Sequence, residues 1–389
     1  MFRTPLHLAA QCSNLELAKV LLSHDSVVNT QDFSGSTSLH YADSSEMTQL
    51  LLESGISPNI PNENGTCALH LSVKRRDSLS VKYLLLHGAD VNNADDIYWY
   101  TSMHLVAQPS LPGVNITCSL RGPIAELLCE SRNPSPDLNY QDRGGNTPLH
   151  HAGSLIEEDA GILISLFVEH GSCPKISNHR GQTPLHIFCQ NQAARTFASY
   201  HEALHLMLTK GADPNAASIS GCTALHLALY HQDILAAALL VRHGAQVNLK
   251  WKKPQKWNTY WTLVDDDDEV LPLDMVEDVH NLHSLLTEIS AQQIPAPRRS
   301  RCMHCKAKLG IFARHHSCYH CGRSMCGKCC VGSLRQTYFP TLKNEEGHNR
   351  LLKVCSLCEP ILLSKMNKVP ATIVKVGLCD QSSLGTISM

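Results

Sequence analysis

Eight cysteines between residues 302 and 358 stand in four pairs of identical spacing: Cys302-x2-Cys305, Cys318-x2-Cys321, Cys326-x2-Cys329 and Cys355-x2-Cys358. Twelve, four and twenty-five residues separate the pairs. Two thiols at this spacing can close on one ion, and thiolate suits zinc, so four pairs furnish two tetrahedral all-sulfur sites. The stretch has few large apolar residues, so metal binding there is folding free energy. Interleaved in ARHHSCYHCGRSMCGKCC (313–330) are Arg314, His315, His316 and His320. If the thiolates alone satisfy both ions, Arg314, His315 and His316 remain as cationic donors for an anion. A competing arrangement takes His320 as a ligand and discards Cys321, but its gap to Cys326 is then too long. Cys330 is left over as a bystander.

The charge balance says where such a module points. The 389-residue chain has a formal charge of −2. From Arg298 to Lys353, twelve Lys and Arg oppose only Glu345 and Glu346, a surplus of +10 that leaves −12 for the remainder. Two zinc ions held by eight thiolates reduce the local surplus to about +6, still basic. A basic module on an acidic body calls for an anionic surface. The composition, 43% hydrophobic and 17% charged, suits a protein in water. Apolar runs such as ILAAALLV (234–241) are too short to cross a bilayer, and MFRTPLHLAA lacks a basic-then-apolar signal segment. The expected location is the cytoplasm, where cysteines are thiols or metal ligands rather than disulfides. Cys12, Cys67, Cys118, Cys129, Cys173, Cys189, Cys222 and Cys379 show no ligand spacing and read as apolar fillers or loop thiols. The DDDDE run (265–269) reads as a solvated loop.

The remaining two-thirds of the chain is repetitive. TPLHLAA (4–10) returns as TSLHYAD (37–43), CALHLSV (67–73), TSMHLVA (101–107), TPLHHAG (147–153), TPLHIFC (183–189) and TALHLAL (223–229). A second apolar helical stretch follows each, for instance SVKYLLLHGADVN or ILAAALLVRHGAQVN. The step is 33 residues from Leu6 to Leu39 and 40 from Leu185 to Leu225. Thr before Pro offers an N-cap hydroxyl, and Pro suits the first helical position. Gly88, Gly211 and Gly244 can end the second helix in the left-handed conformation. The histidines are expected to be buried and hydrogen-bonded between hairpins. A single helix pair cannot bury both faces, so stability comes from stacking.

This pattern resembles the ankyrin repeat, with about seven units over residues 1–248. Residues 249–290, where Leu271-Pro272-Leu273-Asp274 stands in place of TPLH, read as a degenerate capping repeat. The fourth unit holds a long insert at 108–122. Repeats five and six are stretched by IEEDAGILI and QNQAARTFASY. Because three residues precede TPLHLAA, the first repeat lacks its hairpin, and an array truncated from a longer one is expected.

Residues 291–300 form a linker, 301–361 the cysteine module, and 362–389 a tail. The module resembles a FYVE-type zinc finger in its eight-cysteine spacing, Cys321-Gly322, the RHH before the third cysteine and the KVC at 353–355. The resemblance implies a mostly α protein, an ankyrin solenoid followed by a small cross-braced two-zinc finger. Cys302, Cys305, Cys326 and Cys329 then hold one zinc, and Cys318, Cys321, Cys355 and Cys358 the other. It further implies that Arg314, His315, His316 and Lys353 meet a phosphatidylinositol 3-phosphate headgroup, while Ile311 and Phe312 enter the bilayer. The departures are specific. The family's W-x-x-D is replaced by PAPRRSR. Against R-[R/K]-H-H-C-R, counted without gaps, only Arg314 and His316 stay in register. Ser317 and Tyr319 replace a histidine and an arginine. A one-residue bulge at Ser317 would restore both histidines. Lys353 keeps a charge but loses the bidentate fork of arginine.

The resulting expectation is a non-enzymatic adaptor. Ankyrin repeats bind protein partners, and the finger docks peripherally on phosphoinositide-bearing endosomal membranes in endocytic trafficking. Nucleic acid is not expected as a partner. A finger that binds proteins, such as small GTPases, without specific lipid recognition is the alternative. A RING-like ubiquitin ligase is a third reading, disfavoured by the His320 spacing. No hydrolase triad, phosphate-cradling glycine loop or paired-carboxylate motif stands out.

Overall fold

The computed structural model describes residues 3–24, 27–108, 121–132, 134–156, 159–197, 199–252, 269–270, 272–276, 279–289, 316–318, 320–321, 324–325, 327, 329–330, 332–335 and 351–366. They fall into two compact units, Met1–His231 and Gln232–Met389.

The first unit is a ladder of short helix pairs. These are α1 (Pro5–Gln11) with α2 (Leu15–Ser23), a 3-10 turn (Ser38–Tyr41) with α3 (Ser45–Glu53), and α4 (Ala68–Arg75) with α5 (Ser78–Leu86). There follow α6 (Ser102–Val106) with α7 (Arg121–Cys129), α8 (Pro148–Ser154) with α9 (Asp159–Glu169), α10 (Pro184–Gln190) with α11 (Ser199–Thr209), and finally α12 (Ala224–Tyr230). First helices stack on first helices and second on second, giving two layers. Leu39, Leu69, Met103, Leu149, Leu185 and Leu225, the leucine or its equivalent just before each repeat histidine, are buried, as are Leu51, Val81, Leu84, Phe167 and Leu204 on the second helices. Fully burying such a side chain is worth about 1.5–3 kcal/mol. The array is an ankyrin-type solenoid.

Polar bonds set its register. Each Thr that precedes a first helix was expected to cap backbone N–H groups with its hydroxyl. Instead the hydroxyl meets the histidine three residues on, at 2.7 Å for Thr4 and His7 and 2.9 Å for Thr147 and His150. The Thr backbone N–H donates to the same imidazole Nδ1, at 3.2 and 3.0 Å. The ring's Nε2 then faces a carbonyl of the next repeat: His7 to Ser36 at 2.9 Å, His40 to Thr66 at 2.9 Å, His70 to Asn93 at 2.8 Å, His104 to Asn146 at 3.1 Å, His150 to Gln182 at 2.9 Å and His186 to Cys222 at 2.9 Å. A carbonyl only accepts, so Nε2 carries the proton and Nδ1 is the acceptor. Burial, the largest effect, lowers the pKa of His40, His70 and His186, and brings His104 and His150 down to about 4.

The ADVN-like segments tie neighbouring hairpins together. Asn29, Asn59, Asn92 and Asn139 each accept from a backbone N–H of the following repeat, at Ser57, Asp90, Asp137 and Cys173 (2.7–2.9 Å). Helix ends follow the glycine expectation, with Gly88, Gly211 and Gly244 at φ +80°, +93° and +92°. From Asp159 onward IEEDAGILI forms the start of α9, and QNQAARTFASY supplies a 3-10 turn (Ala193–Thr196) and the first residues of α11. Helix α6, only five residues long, is closed by two buried guanidinium groups. Arg76 donates to the Val106 and Gln108 carbonyls at 3.1 and 3.2 Å, and Arg121 reaches the same two oxygens. Cations at a helix C-terminus oppose the negative end of its dipole. Most of the 108–122 insert lies outside the described residues.

In the second unit, α13 (Ile234–Arg242) packs on α14 (Val279–Glu288), and Arg242 grips Glu288 through two bonds of 3.0 and 3.1 Å. Strand β1 (Trp251–Lys252) pairs with β2 (Glu269–Val270), and Pro272–Met275 forms a 3-10 turn. Beyond these lie β3 (His316–Ser317), β4 (Ser324–Met325), β5 (Gly332–Arg335), β6 (Leu351–Val354) and α15 (Cys358–Met366). Strands β3 and β4 pair antiparallel, as do β5 and β6.

The buried imidazoles make stability depend on pH. Their folded pKa values lie below the unfolded value near 6.5, so their contribution is complete above that pH. It is lost as pH falls toward about 4. The urea midpoint of the array is expected to drop across this window, by more than one protonation can account for. In His150→Ala the drop shrinks, and about 2–4 kcal/mol of stability is lost at pH 7.5, because the Thr147 N–H and hydroxyl and the Gln182 carbonyl lose their partner. Urea titrations at several pH values check both.

Candidate metal centre

Four cysteines converge in the second unit. The Sγ atoms of Cys318, Cys321, Cys355 and Cys358 lie within 4.8 Å of one another, and every one of the four residues is at most 1% exposed. Local structure delivers them from two places. Cys318 follows directly on β3, and Cys321 lies in the turn after it. Cys355 follows β6, and Cys358 is the first residue of α15. The Cys358 N–H donates to the Cys355 carbonyl at 3.0 Å, folding the second pair into a tight turn. The Cys355 N–H points to the Cys318 sulfur at 3.3 Å, the kind of bond that steadies a thiolate.

The Cys321 and Cys355 sulfurs are 4.0 Å apart. Ligand bonds of 2.3 Å in a tetrahedron put sulfurs about 3.8 Å apart, so the cluster has the dimensions of a zinc site. Thiols this crowded cannot all ionise unaided. The hydrogen bond from Cys318 pulls Cys355 down, while hydrogen bonds to Cys321 and Cys318 push Cys318 and Cys358, respectively, up. A bound dication removes the conflict by taking all four as thiolates. Zinc is the ion this donor set fits.

Of the other expected ligands, Cys302, Cys305 and Cys326 lie outside the described residues, and Cys329 is buried. Among the described residues no second cluster of ligand atoms gathers. The Cys330 sulfur lies 3.8 Å from the Val354 carbonyl, packed beneath β6 rather than in the four-thiol group. His320 is buried and is not a member of the cluster, whereas Cys321 is. The cysteines of the array are chemically quiet. Burial raises the Cys67 thiol to about 11 and those of Cys129 and Cys222 to about 12.

The expected headgroup residues are only partly placed. Arg314, His315, Ile311 and Phe312 lie outside the described residues. His316 is half-buried in β3, and Lys353 is exposed on β6, the strand beside β3. In the β3–β4 ladder His316 pairs with Met325 and Ser317 with Ser324.

Similarities to known proteins match this architecture. The ankyrin-repeat family models match residues 2–62, 64–96 and 156–251, and the model of the FYVE zinc finger matches 292–364. The chain thus carries ankyrin repeats and a FYVE zinc-finger domain. Rabankyrin-5 of Homo sapiens is 26% identical over 92% of this chain, and that of Mus musculus 27% identical over 92%. The chain spans about a third (34%) of the length of either relative. A notch homolog of Danio rerio is 29% identical over 54% of the chain and 7% of its own length. A crystal structure of the Bcl-3 ankyrin domain superposes with a TM-score of 0.47 at 22% identity, over 61% of this chain and 98% of the Bcl-3 chain. The ankyrin–FYVE protein binds zinc through its finger. No helix among the described residues is long and apolar enough to cross a membrane.

Replacing Cys358 with Ser removes one of four thiolates from a buried site. The expected result is loss of the zinc held there and unfolding of the finger, while the helical circular dichroism of the array persists. Zinc content by elemental analysis, with far-ultraviolet melting, checks it.

Proposed function

We propose that this protein is a non-enzymatic adaptor. Its ankyrin array binds protein partners, and its FYVE finger attaches the complex peripherally to endosomal membranes carrying phosphatidylinositol 3-phosphate. The observation that carries this reading is the coincidence of the FYVE match at 292–364 with a buried four-thiol cluster in the same segment. Similarity to rabankyrin-5, an ankyrin–FYVE relative by the same description, supports it. We assign two zinc ions, the second to Cys302, Cys305, Cys326 and Cys329. With thiolates satisfying both ions, neither ion takes Arg314, His315, His316 or Lys353 as a ligand; these meet the headgroup, and Ile311 and Phe312 enter the acyl region. Each charge-assisted bond to phosphate is worth roughly 1.5–3 kcal/mol.

One observation favours a weaker lipid site. With Ser317 in the ladder and Lys353 for arginine, two of the family's contacts are missing or softened. At about 1.4 kcal/mol each, their loss lowers affinity roughly 10²-fold. Attachment then draws on loop insertion and general attraction to anionic lipid. The alternative reading, a finger that serves as a protein-binding module such as a small-GTPase effector, rests on the same two replacements.

Flotation with liposomes separates them. Recovery is expected to be higher on vesicles containing phosphatidylinositol 3-phosphate than on vesicles with unphosphorylated phosphatidylinositol at equal charge. Lys353→Arg is expected to tighten binding up to about 10-fold, and Lys353→Ala to weaken it. Equal recovery on both vesicles sinks the specific-lipid reading. Native mass spectrometry is expected to give two zinc ions per chain, and fewer than two in Cys358→Ser.

A further inference from the structure

One hairpin of the array departs from the others. From the residue that opens each finger to the Thr or Cys that precedes the next helix, the finger runs five positions at 32–37, 62–67, 142–147, 178–183 and 218–223. That of the fourth repeat, the fourth finger if each takes its repeat's number, runs six, from Asp95 to Thr101. In the regular fingers a glycine sits at the tip with positive φ, as at Gly35 (+70°) and Gly65 (+71°). A Cβ there would fall 2.9 Å from the Glu63 nitrogen or 2.7 Å from that of Asp96. The tip glycine answers both a backbone and a crowding demand.

In the fourth finger Trp99 takes the left-handed conformation, at φ +61°. The extra residue widens the turn. The Trp99 N–H bonds to the Asp95 carbonyl four positions back at 3.0 Å, whereas Gly35 reaches three positions back to Asp32. A bulky side chain in this region is an outlier that the surroundings must enforce. Register does not explain it. The tip-to-tip ladder passes through undisturbed, with Asp96 N–H on the Asn64 carbonyl at 2.9 Å and Arg143 N–H on the Tyr98 carbonyl at 3.0 Å.

The strained turn displays an aromatic surface. Ile97, Tyr98 and Trp99 are 45%, 55% and 47% exposed. The Tyr98 ring is held by stacking on Tyr100 at 5.1 Å. One face of Trp99 carries the Arg143 guanidinium, 5.5 Å from the ring centroid, itself anchored at 2.7 Å to the Asp96 carbonyl. The neighbouring finger presents the exposed Glu63, and the Asp96 carboxyl lies against Gly65 of that finger. Residues 1–231 hold thirteen Lys and Arg against twenty-one Asp and Glu, a formal −8.

We propose that this finger is a docking site for an extended, cation-bearing segment of a partner protein. A Lys or Arg of the partner sits between the Trp99 ring and the carboxylates of Glu63 and Asp96, and an adjacent apolar residue covers Tyr98 and Ile97. The inference rests on the reading of the array as the partner-binding half and names where and what it binds. Arg143 shows that the indole accepts a guanidinium. The carboxylates supply the charge complement, and exposed Trp and Tyr are the side chains that anchor interfaces. The sequence signal is DDIYWYTS in place of a DFSGST-type finger.

The test uses the full chain and a fluorescein-labelled nonapeptide of Arg, Pro and Leu, with the same peptide carrying Glu for every Arg as the control. The Arg peptide is expected to bind and the Glu peptide not. Trp99→Gly is expected to weaken binding at least tenfold while its unfolding temperature stays level or rises, since glycine relieves the left-handed turn. A tryptophan retained for folding would lower that temperature. Glu63→Gln with Asp96→Asn, which leaves the backbone ladder intact, is expected to weaken binding by a similar factor. Arg-peptide binding indifferent to both variants overturns this site and leaves the partner-binding reading standing. Equal binding of the two peptides, or of neither, overturns the charge argument itself.

Discussion

Each repeat junction from His7 to His186 depends on an imidazole held at both nitrogens. The same histidine fixes the start of its own helix through Nδ1 and reaches the next repeat through Nε2–H. Local capping and long-range stacking are thereby one interaction, and neither half can form without the other. The leucines supply most of the stabilising free energy by burial, but an apolar interface is indifferent to small slips. A directional bond to a single carbonyl is not. Asparagine bridges at the hairpin bases repeat the device one layer away, so the array is registered on two parallel lines.

That coupling explains what the sequence revealed. Thr-Pro-Leu-His compresses a cap, a helix start, a core residue and an inter-repeat bond into four positions, so the repeat was legible from any one copy. The role of the threonine was misassigned, because the usual hydroxyl-to-backbone cap competes with an imidazole that offers a better-placed acceptor. IEEDAGILI lengthens its repeat, but its acidic start hid that most of it is helix from Asp159 onward. The fourth finger escaped notice for a different reason. One added residue is invisible to a search for periodicity, but it moves the left-handed position away from glycine and onto tryptophan.

The finger poses the opposite problem. Its described strands are two to four residues long, too short to be stable as isolated hairpins. The four buried sulfurs therefore stand where a larger domain would place a hydrophobic core, and the strands inherit their geometry from the metal. Cysteine spacing made this readable in advance, because ligand pairs are local. The headgroup site was less readable, since its residues matter only through strand register, and register is a property of pairing rather than of spacing. The pairing of His316 with Met325 and of Ser317 with Ser324 is such a property, and no count of residues supplies it.

The two halves divide the electrostatics between them. In the proposed attachment an anionic membrane attracts the basic finger and repels the acidic array. The same acidity has a second consequence at the fourth finger. A site that combines aromatic faces with carboxylates discriminates against acidic partners and against the membrane itself. What it selects is a cation on an extended chain, the one class of ligand that the finger, with its own surplus of positive charge, repels.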